Sequence, residues 1–231
     1  MNYFIDALIW AFSADHWSGN NSITQRLIEH LWFTLMIVAI SSVVAIPTGI
    51  VIGHIRRGAG LIGALTGAAR AIPTLGLLTL FGLWLGIGLK APTLALIVLA
   101  IPSLLAGAYS GVESISPDIP SAAQAIGMTP WQVITSVELP LALPVIMGGI
   151  RAATLQVIAT ATLAAYTADI GLGRFLFAGL KSRDYSEMLG SSLIVIALAV
   201  VIDAALGRAQ KMGRESFRRS LNFTAELKIA M

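Results

Sequence analysis

Five apolar stretches, each nearly free of charge, punctuate the chain: residues 31–53, 71–89, 91–112, 139–168 and 188–207. The fourth is interrupted by Arg151, and the fifth carries Asp203 near its end. Crossing a hydrocarbon core of ~30 Å takes about 20 helical residues, and each stretch is long enough or nearly so. The alternating segments of about 10 residues that mark an outer-membrane barrel are absent, so the pattern predicts an all-α chain. A shorter apolar stretch at 3–12 contains Asp6 and is too brief to span, which predicts an interfacial helix. The first long stretch exceeds the roughly 7–15 apolar residues of a signal peptide and follows no basic region, so it is expected to stay in the mature protein.

Composition strengthens this picture. Of 231 residues, 56% are hydrophobic and 12% charged, against about a quarter charged in soluble domains, and the mean hydropathy is +0.82. Most of the chain therefore belongs in lipid. No cysteine is present, which excludes disulfides and leaves the compartment unread.

Five crossings place the termini on opposite sides, and the distribution of Lys and Arg selects the cytoplasmic one. With the C-terminus inside, that side holds Arg56, Arg57, Arg70, Arg208, Lys211, Arg214, Arg218, Arg219 and Lys228, while the other holds Arg26, Lys90, Arg174, Lys181 and Arg183. Nine against five predicts N-out, C-in. The positive charge gathers after Gly207, where anionic headgroups rather than nucleic acid are the expected neighbours. No linker and no internal two-fold repeat is evident, and many self-contained secondary carriers show such a repeat. The expected organisation is an extracytoplasmic or interfacial segment 1–26, one transmembrane domain 27–210 and a basic cytoplasmic tail 211–231.

The connection between the third and fourth stretches is itself structured. Ser116 can cap a short helix with Pro117 at its first position, and Gly127 can end that helix in the left-handed conformation. Thr129, Pro130 and Gln132 then form a Thr-x-x-Gln capping box for a second helix. A helix, a tight turn and a helix are expected over 116–138.

The spacing in this connection resembles the cytoplasmic signature of ATP-binding-cassette importer permeases, which reads Glu-Ala-Ala, three residues, Gly, nine residues, Ile, one residue, Leu-Pro. Here Ser121, Ala122 and Ala123 are followed at matching intervals by Gly127, Val137, Glu138, Leu139 and Pro140. The segments 137–154 and 70–88 resemble the osmoprotectant branch, which imports glycine betaine, carnitine or choline. That resemblance implies a five-helix importer permease core of the methionine/molybdate-importer type. It also implies that the 121–140 element, including Met128 and Thr129–Pro130, docks on a separate ATPase and passes a rigid-body movement into the membrane. Small Ala122 and Ala123 would seat closely in the partner's groove. Two departures stand out: Ser121 replaces the usual glutamate, and Tyr166, Thr167, Asp169 and Ile170 occupy a run that is glycine-rich in relatives, at the expected outer gate.

Single residues were weighed against plainer roles. Arg151 lies near mid-membrane, where a charge is expensive, and Asp203 is its expected partner in a gating or structural ion pair. Four Gly-x-x-x-Gly pairs (Gly49 and Gly53, Gly63 and Gly67, Gly82 and Gly86, Gly107 and Gly111) are expected to pack chiefly within the subunit. Pro47, Pro73, Pro102 and Pro144 suggest kinks, static rather than hinging. Trp32, Trp84, Tyr109 and Tyr166 are expected as interface anchors rather than a quaternary-ammonium cage. His16, His30 and His54 show no metal-ligand spacing. No phosphate loop, nucleophile elbow or zinc-protease motif is present, so ATP and Mg are expected on the partner ATPase and no cofactor in this chain.

The sequence thus predicts a multi-pass permease subunit of the bacterial cytoplasmic membrane. Its expected partners are ATPase subunits, a second permease copy or paralogue, an extracytoplasmic solute-binding protein and the lipid bilayer. A permease for another small polar metabolite is the alternative, and a proton-coupled carrier using Arg151, Asp203 and Glu113 is a more distant one.

Overall fold

The computed structural model describes residues 2–230, with side chains described except for Arg70 and residues 213–230. The basic side chains of Arg70, Arg214, Arg218, Arg219 and Lys228 in the charge count lie outside those described. Ten α-helices follow in order: α1 (Tyr3–Phe12), α2 (Ile23–Ile55), α3 (Ala59–Ala71), α4 (Thr74–Leu85), α5 (Lys90–Glu113), α6 (Asp118–Ala125), α7 (Pro130–Val133), α8 (Leu139–Ala161), α9 (Gly173–Ser182) and α10 (Tyr185–Ala230). No strand occurs among the described residues.

Four apolar helices are long enough to cross a membrane: α2, α5, α8 with its flanking turns (Pro130–Tyr166), and α10 over Tyr185–Met212. The second apolar stretch departs from the expected single helix. It begins earlier, in α3, and is broken between α3 and α4, which meet at 82°. The cause is local. Proline disfavours helical geometry in the residue before it and lacks an N–H, and Ile72 before Pro73 is extended at φ −70°, ψ 121°. Pro47, Pro102 and Pro144 lie within helices that continue past them, so Pro73 alone of the four interrupts its span.

α2, α5 and α8 form the centre. Phe33 and Ile37, Leu96 and Leu104, and Ala153 and Val157 interlock there, all at most 3% exposed. Close approach is set by glycine. A Cβ on Gly49 would lie 2.7 Å from Ala108 Cβ, and one on Gly107 would lie 2.6 Å from Gly149 Cα, so the α2–α5 and α5–α8 crossings tolerate no side chain at those points. Gly53 and Gly111 pack on Val112 and Ala142 in the same way, as expected for packing within the subunit. Gly63 and Gly67 have open space in front of them, so that pair holds no crossing inside this chain.

α1 has the predicted bounds and lies against α10: a Cβ on Gly190 would strike the Trp10 ring at 2.4 Å, and Tyr3 meets Tyr185 edge-on at 5.5 Å. Its opposite face is exposed at Ile5, Ile9 and Phe12, the two-sided character of a helix at an interface.

Candidate functional site

The connection after α5 forms a compact element at one end of the bundle. α6 starts with Pro117 in helical geometry (φ −55°, ψ −25°) and no side-chain cap. Contrary to expectation, the Ser116 hydroxyl does not cap it. The carboxylate of Asp118, two residues on, accepts from that hydroxyl at 3.3 Å, while the Ser116 carbonyl accepts from the Ile119 N–H at 3.1 Å. The far end closes as predicted. Gly127 is left-handed at φ 94°, Met128 N–H donates to Ala123 O at 3.1 Å and Gly127 N–H to Gln124 O at 2.9 Å, the paired bonds of a Schellman ending. Thr129 then caps α7 in a complete capping box with Gln132, with Pro130 at the first position.

The two small residues behave differently from one another. Ala122 is exposed, but Ala123 is 8% exposed and faces the chain's own core, so it fixes α6 to the bundle rather than meeting a partner. Ser121, in the place of the family glutamate, donates its hydroxyl back to Pro117 O at 2.8 Å, and this uncharged residue is satisfied on its own helix. What the element presents outward is apolar: Ile119, Ile126 (82% exposed) and Trp131 (69% exposed). Trp131 was legible in principle, because a tryptophan on a four-residue capped helix has little protein to hide against.

α7 does not stop before the fourth span. A π-helical turn over Ile134–Glu138 joins it to α8, with Val137, Leu139 and Pro140 half-buried along the join. Pro140 explains the wider turn: with no N–H and a ring that crowds the carbonyl four residues back, it disrupts regular α geometry, and a π-bulge absorbs the misfit. The element is therefore continuous with α8.

That join carries an interaction absent from the sequence reading. Glu138 is 1% exposed, and His54 near the end of α2 lies 2.7 Å from its Oε2 through Nδ1. Beside it, Arg56 donates to Ile115 O at 2.6 Å, tying the end of α2 to the end of α5. Nothing in the separation of 84 residues between His54 and Glu138 announces the pair.

Deeper in the bundle, Arg151 and Asp203 form the expected ion pair, with Nε and Nη2 engaging the two carboxylate oxygens. Glu113 stands apart from it, accepting from the Tyr109 hydroxyl. At the opposite end, Asp169 bridges two arginines: Arg26 at 2.9 Å and Arg174 at 2.8 Å. Arg26 also reaches Glu29 at 2.9 Å, and Glu29 accepts from Gly171 N–H at 3.1 Å. The Asp169 departure is thus the hub of a polar clasp that fastens the segment after α8 to the start of α2. Gly171, left-handed at φ 69°, sits where a Cβ would lie 2.9 Å from His30 Nδ1.

Trp32, Trp84 and Tyr166 are exposed on separate elements, and Tyr109 is buried at 4%. Tyr166 stacks near Phe177 rather than any of the other three. His16 and His30 each bond a backbone carbonyl. Among the described residues no group of three potential ligands could hold a metal.

A bundle of apolar helices with an outward-facing element at one end is the architecture of a multi-pass membrane protein, and the family model for the binding-protein-dependent transport system inner membrane component matches residues 45–214. The chain belongs to that family. Among its relatives, the glycine betaine/carnitine/choline transport system permease protein of Bacillus subtilis is 33% identical over 79% of this chain and 84% of its own length. The choline transport system permease protein of the same organism is 33% identical over 84% and 89%. The osmoprotectant import permease protein of Salmonella typhimurium is 32% identical over 79% and 87%. Among solved structures, the inward-facing MetNI methionine transporter superposes with a TM-score of 0.66 over 81% of this chain and 96% of the neighbour at 22% identity, a likeness of fold.

Proposed function

We propose that this chain is the permease subunit through which an ATP-driven importer moves a small osmoprotectant of the glycine betaine, choline or carnitine type. The observation that carries the coupling half of this reading is the element at 116–138, closed at Gly127, capped at Thr129, continuous with α8 and apolar on its outward side at Ile126 and Trp131. The substrate half is supported by the printed functions of relatives about a third identical over most of the chain.

In this reading five crossings are made, the bent α3–α4 pair serving as the second, with the N-terminus outside and the C-terminus inside. Arg56, His54, Glu138 and the α6–α7 element gather at one end, which supports placing them together on the cytoplasmic side. Residues 1–26 then lie at the outer surface, 27–210 form the transmembrane domain, and 211–231 form a basic cytoplasmic tail. ATP and Mg are handled by separate ATPase subunits, which dock on Ser121, Ala122 and Gly127 to Pro130 together with Ile126 and Trp131. A second permease copy or paralogue completes the path, and an extracytoplasmic solute-binding protein delivers the solute at the end where Asp169 lies. Movement of the ATPases reaches α8 through Val137, Leu139 and Pro140 without a flexible joint.

The test is reconstitution with the ATPase and binding protein. ATP hydrolysis stimulated by a betaine-, choline- or carnitine-loaded binding protein is expected. Solute uptake driven by a proton gradient in the absence of any ATPase would refute the proposal.

A further inference from the structure

The exposed surface of the bundle is of two kinds. Around mid-length, α2 presents Ile40, Val43 and Val44 outward, with Val43 75% exposed, and α10 presents Ile196, Val200 and Val201. These are residues that lipid tails would cover. The face shared by α5, α8 and the later part of α10 is different. Ser103 donates to Gln156 Oε1 at 2.9 Å, Gln156 Nε2 to Leu99 O at 3.2 Å and Gln210 Nε2 to Pro144 O at 2.6 Å. The Arg151–Asp203 pair lies between them along α8, each side chain about a third exposed at 37% and 31%. Ser110 is exposed on the same side of α5. Polar and charged groups left partly open within a spanning bundle face protein or water, not hydrocarbon.

A groove of about 540 Å³ runs along this face, lined in part by Ser103, Gly107, Ser110, Gly148, Gly149 and Gln210. Its floor is backbone, because the contact of Gly107 with Gly149 brings α5 and α8 together without side chains. Its side is open because Gly148 carries none: a Cβ there would meet only Gln210 Nε2, at 3.7 Å. The glycines at 107 and 149 are required by packing. The one at 148 is not, and what it preserves is space.

We infer that this groove is one wall of the solute path, water-filled in the assembled transporter, with Ser103, Ser110 and Gln210 as the polar groups that a passing solute meets. The inference rests on the importer-permease reading and adds the residues that form the route. The chemistry of the wall also indicates what it passes. Its lining is hydroxyl, amide and apolar, with no charged side chain among the residues that form it, so no fixed charge traps the cargo. A small polar solute of zero or single charge crosses such a wall without a deep binding well, and its selection falls to another component.

The chain has no cysteine, so single thiols can be introduced directly in the complete transporter in membrane vesicles. Ser103→Cys and Ser110→Cys should react with a membrane-impermeant, cationic methanethiosulfonate at least tenfold faster than Val43→Cys, because only a thiol in water ionises and meets the reagent. Equal, slow reaction at all three positions would overturn the inference, showing the face sealed by lipid or by protein. Labelling needs no transported solute, so it is separable from failure of the osmoprotectant assignment, which appears instead as an unstimulated wild-type ATPase. As a second arm, Gly148→Leu extends into the groove from a position whose Cβ meets only Gln210 Nε2 at 3.7 Å, and it should reduce uptake at least tenfold while the complex still assembles. Unchanged uptake by that variant counts equally against the path.

Discussion

The buried contact between His54 and Glu138 offers the sharpest test of how the coupling element is fastened to the bundle. Glu138 is 1% exposed, its Oε2 is 2.7 Å from His54 Nδ1, and it ends the π-helical turn that leads into α8. Removing one partner of a buried pair leaves the other desolvated and uncompensated, at about 3–5 kcal/mol, whereas replacing both by apolar groups is often neutral. His54→Ala strands the carboxylate and should sit near the lower figure, because His54 keeps 19% of its side chain exposed and its removal lets some water in. Glu138→Leu strands an imidazole that can reach that same water, so about 1 kcal/mol is expected. The double variant should cost no more than Glu138→Leu alone, a coupling of about 3 kcal/mol between the sites.

For a chain of this size, roughly 2–4 °C of melting temperature accompanies each kcal/mol. Thermal unfolding of the purified complex should therefore fall by about 6–12 °C in His54→Ala and by only a few degrees in the double variant. Binding-protein-stimulated ATP hydrolysis, measured below the transition, reports whether the fastening also matters for coupling. If His54→Ala melts with the wild type, or the double variant shows the sum of the two single losses, the pair is not the buried strut described above and the reasoning fails.

Other variants probe the remaining contacts. Gly107→Val places side-chain atoms against the backbone of Gly149 and should destabilise by about 1–3 kcal/mol, seen as a lower melting temperature, while Gly148→Ala next to that contact should change it little. Arg151→Glu and Asp203→Arg each put like charges together within the bundle and should each lower the yield of assembled transporter. Their combination should restore the yield of assembled transporter in size-exclusion profiles, and no rescue would disprove a structural role for the pair. Gly127→Val forces a branched side chain into left-handed geometry at φ 94°, costing at least about 1–2 kcal/mol within the turn. The expected readout is weaker ATPase association in a pull-down with little change in the melting of the membrane helices.

Local features were legible in the sequence, and contacts between distant segments were not. The capping box at Thr129 and Gln132 and the left-handed Gly127 depend on residues within a few positions of each other, and both were predicted and found. The ends of α5 were placed within one residue because Lys90 and Glu113 mark an abrupt change in polarity. The break at Ile72 and Pro73 was missed for an opposite reason: hydropathy runs unchanged through it, and only the steric demand of proline on its predecessor signals the bend. The Ser116 hydroxyl is not a cap because the Asp118 carboxylate two residues on competes for it with the backbone of α6, and sequence alone does not decide between them. Ion pairs divided by their sequence surroundings. Arg151 and Asp203 were conspicuous as charges in apolar stretches, whereas Arg26, Asp169 and Glu138 sit at segment ends, where charge is ordinary.

The fastenings also constrain how a push on the α6–α7 element spreads. Glu138 joins that element to α2 through His54, Ala123 seats it on the bundle, and the π-helical turn runs from it into α8 without a break. At the other end Arg26, Glu29 and Asp169 clasp the exit of α8 to the entry of α2. Between these ends, α2 meets α5 and α5 meets α8 at glycine contacts with no side chain to slip or change rotamer. Close-packed contacts of that kind transmit displacement rather than absorb it. A force at Trp131 or Ile126 is accordingly delivered to α2, α5 and α8 as one body, and the polar groove carried by α5 and α8 moves with them. The α3–α4 pair lacks these ties at Gly63 and Gly67, and it contains the one proline-broken span. The proline break therefore separates α3 from α4, which are held by buried side chains such as Ile62 and Leu78, whereas α2, α5 and α8 are joined through the close glycine contacts.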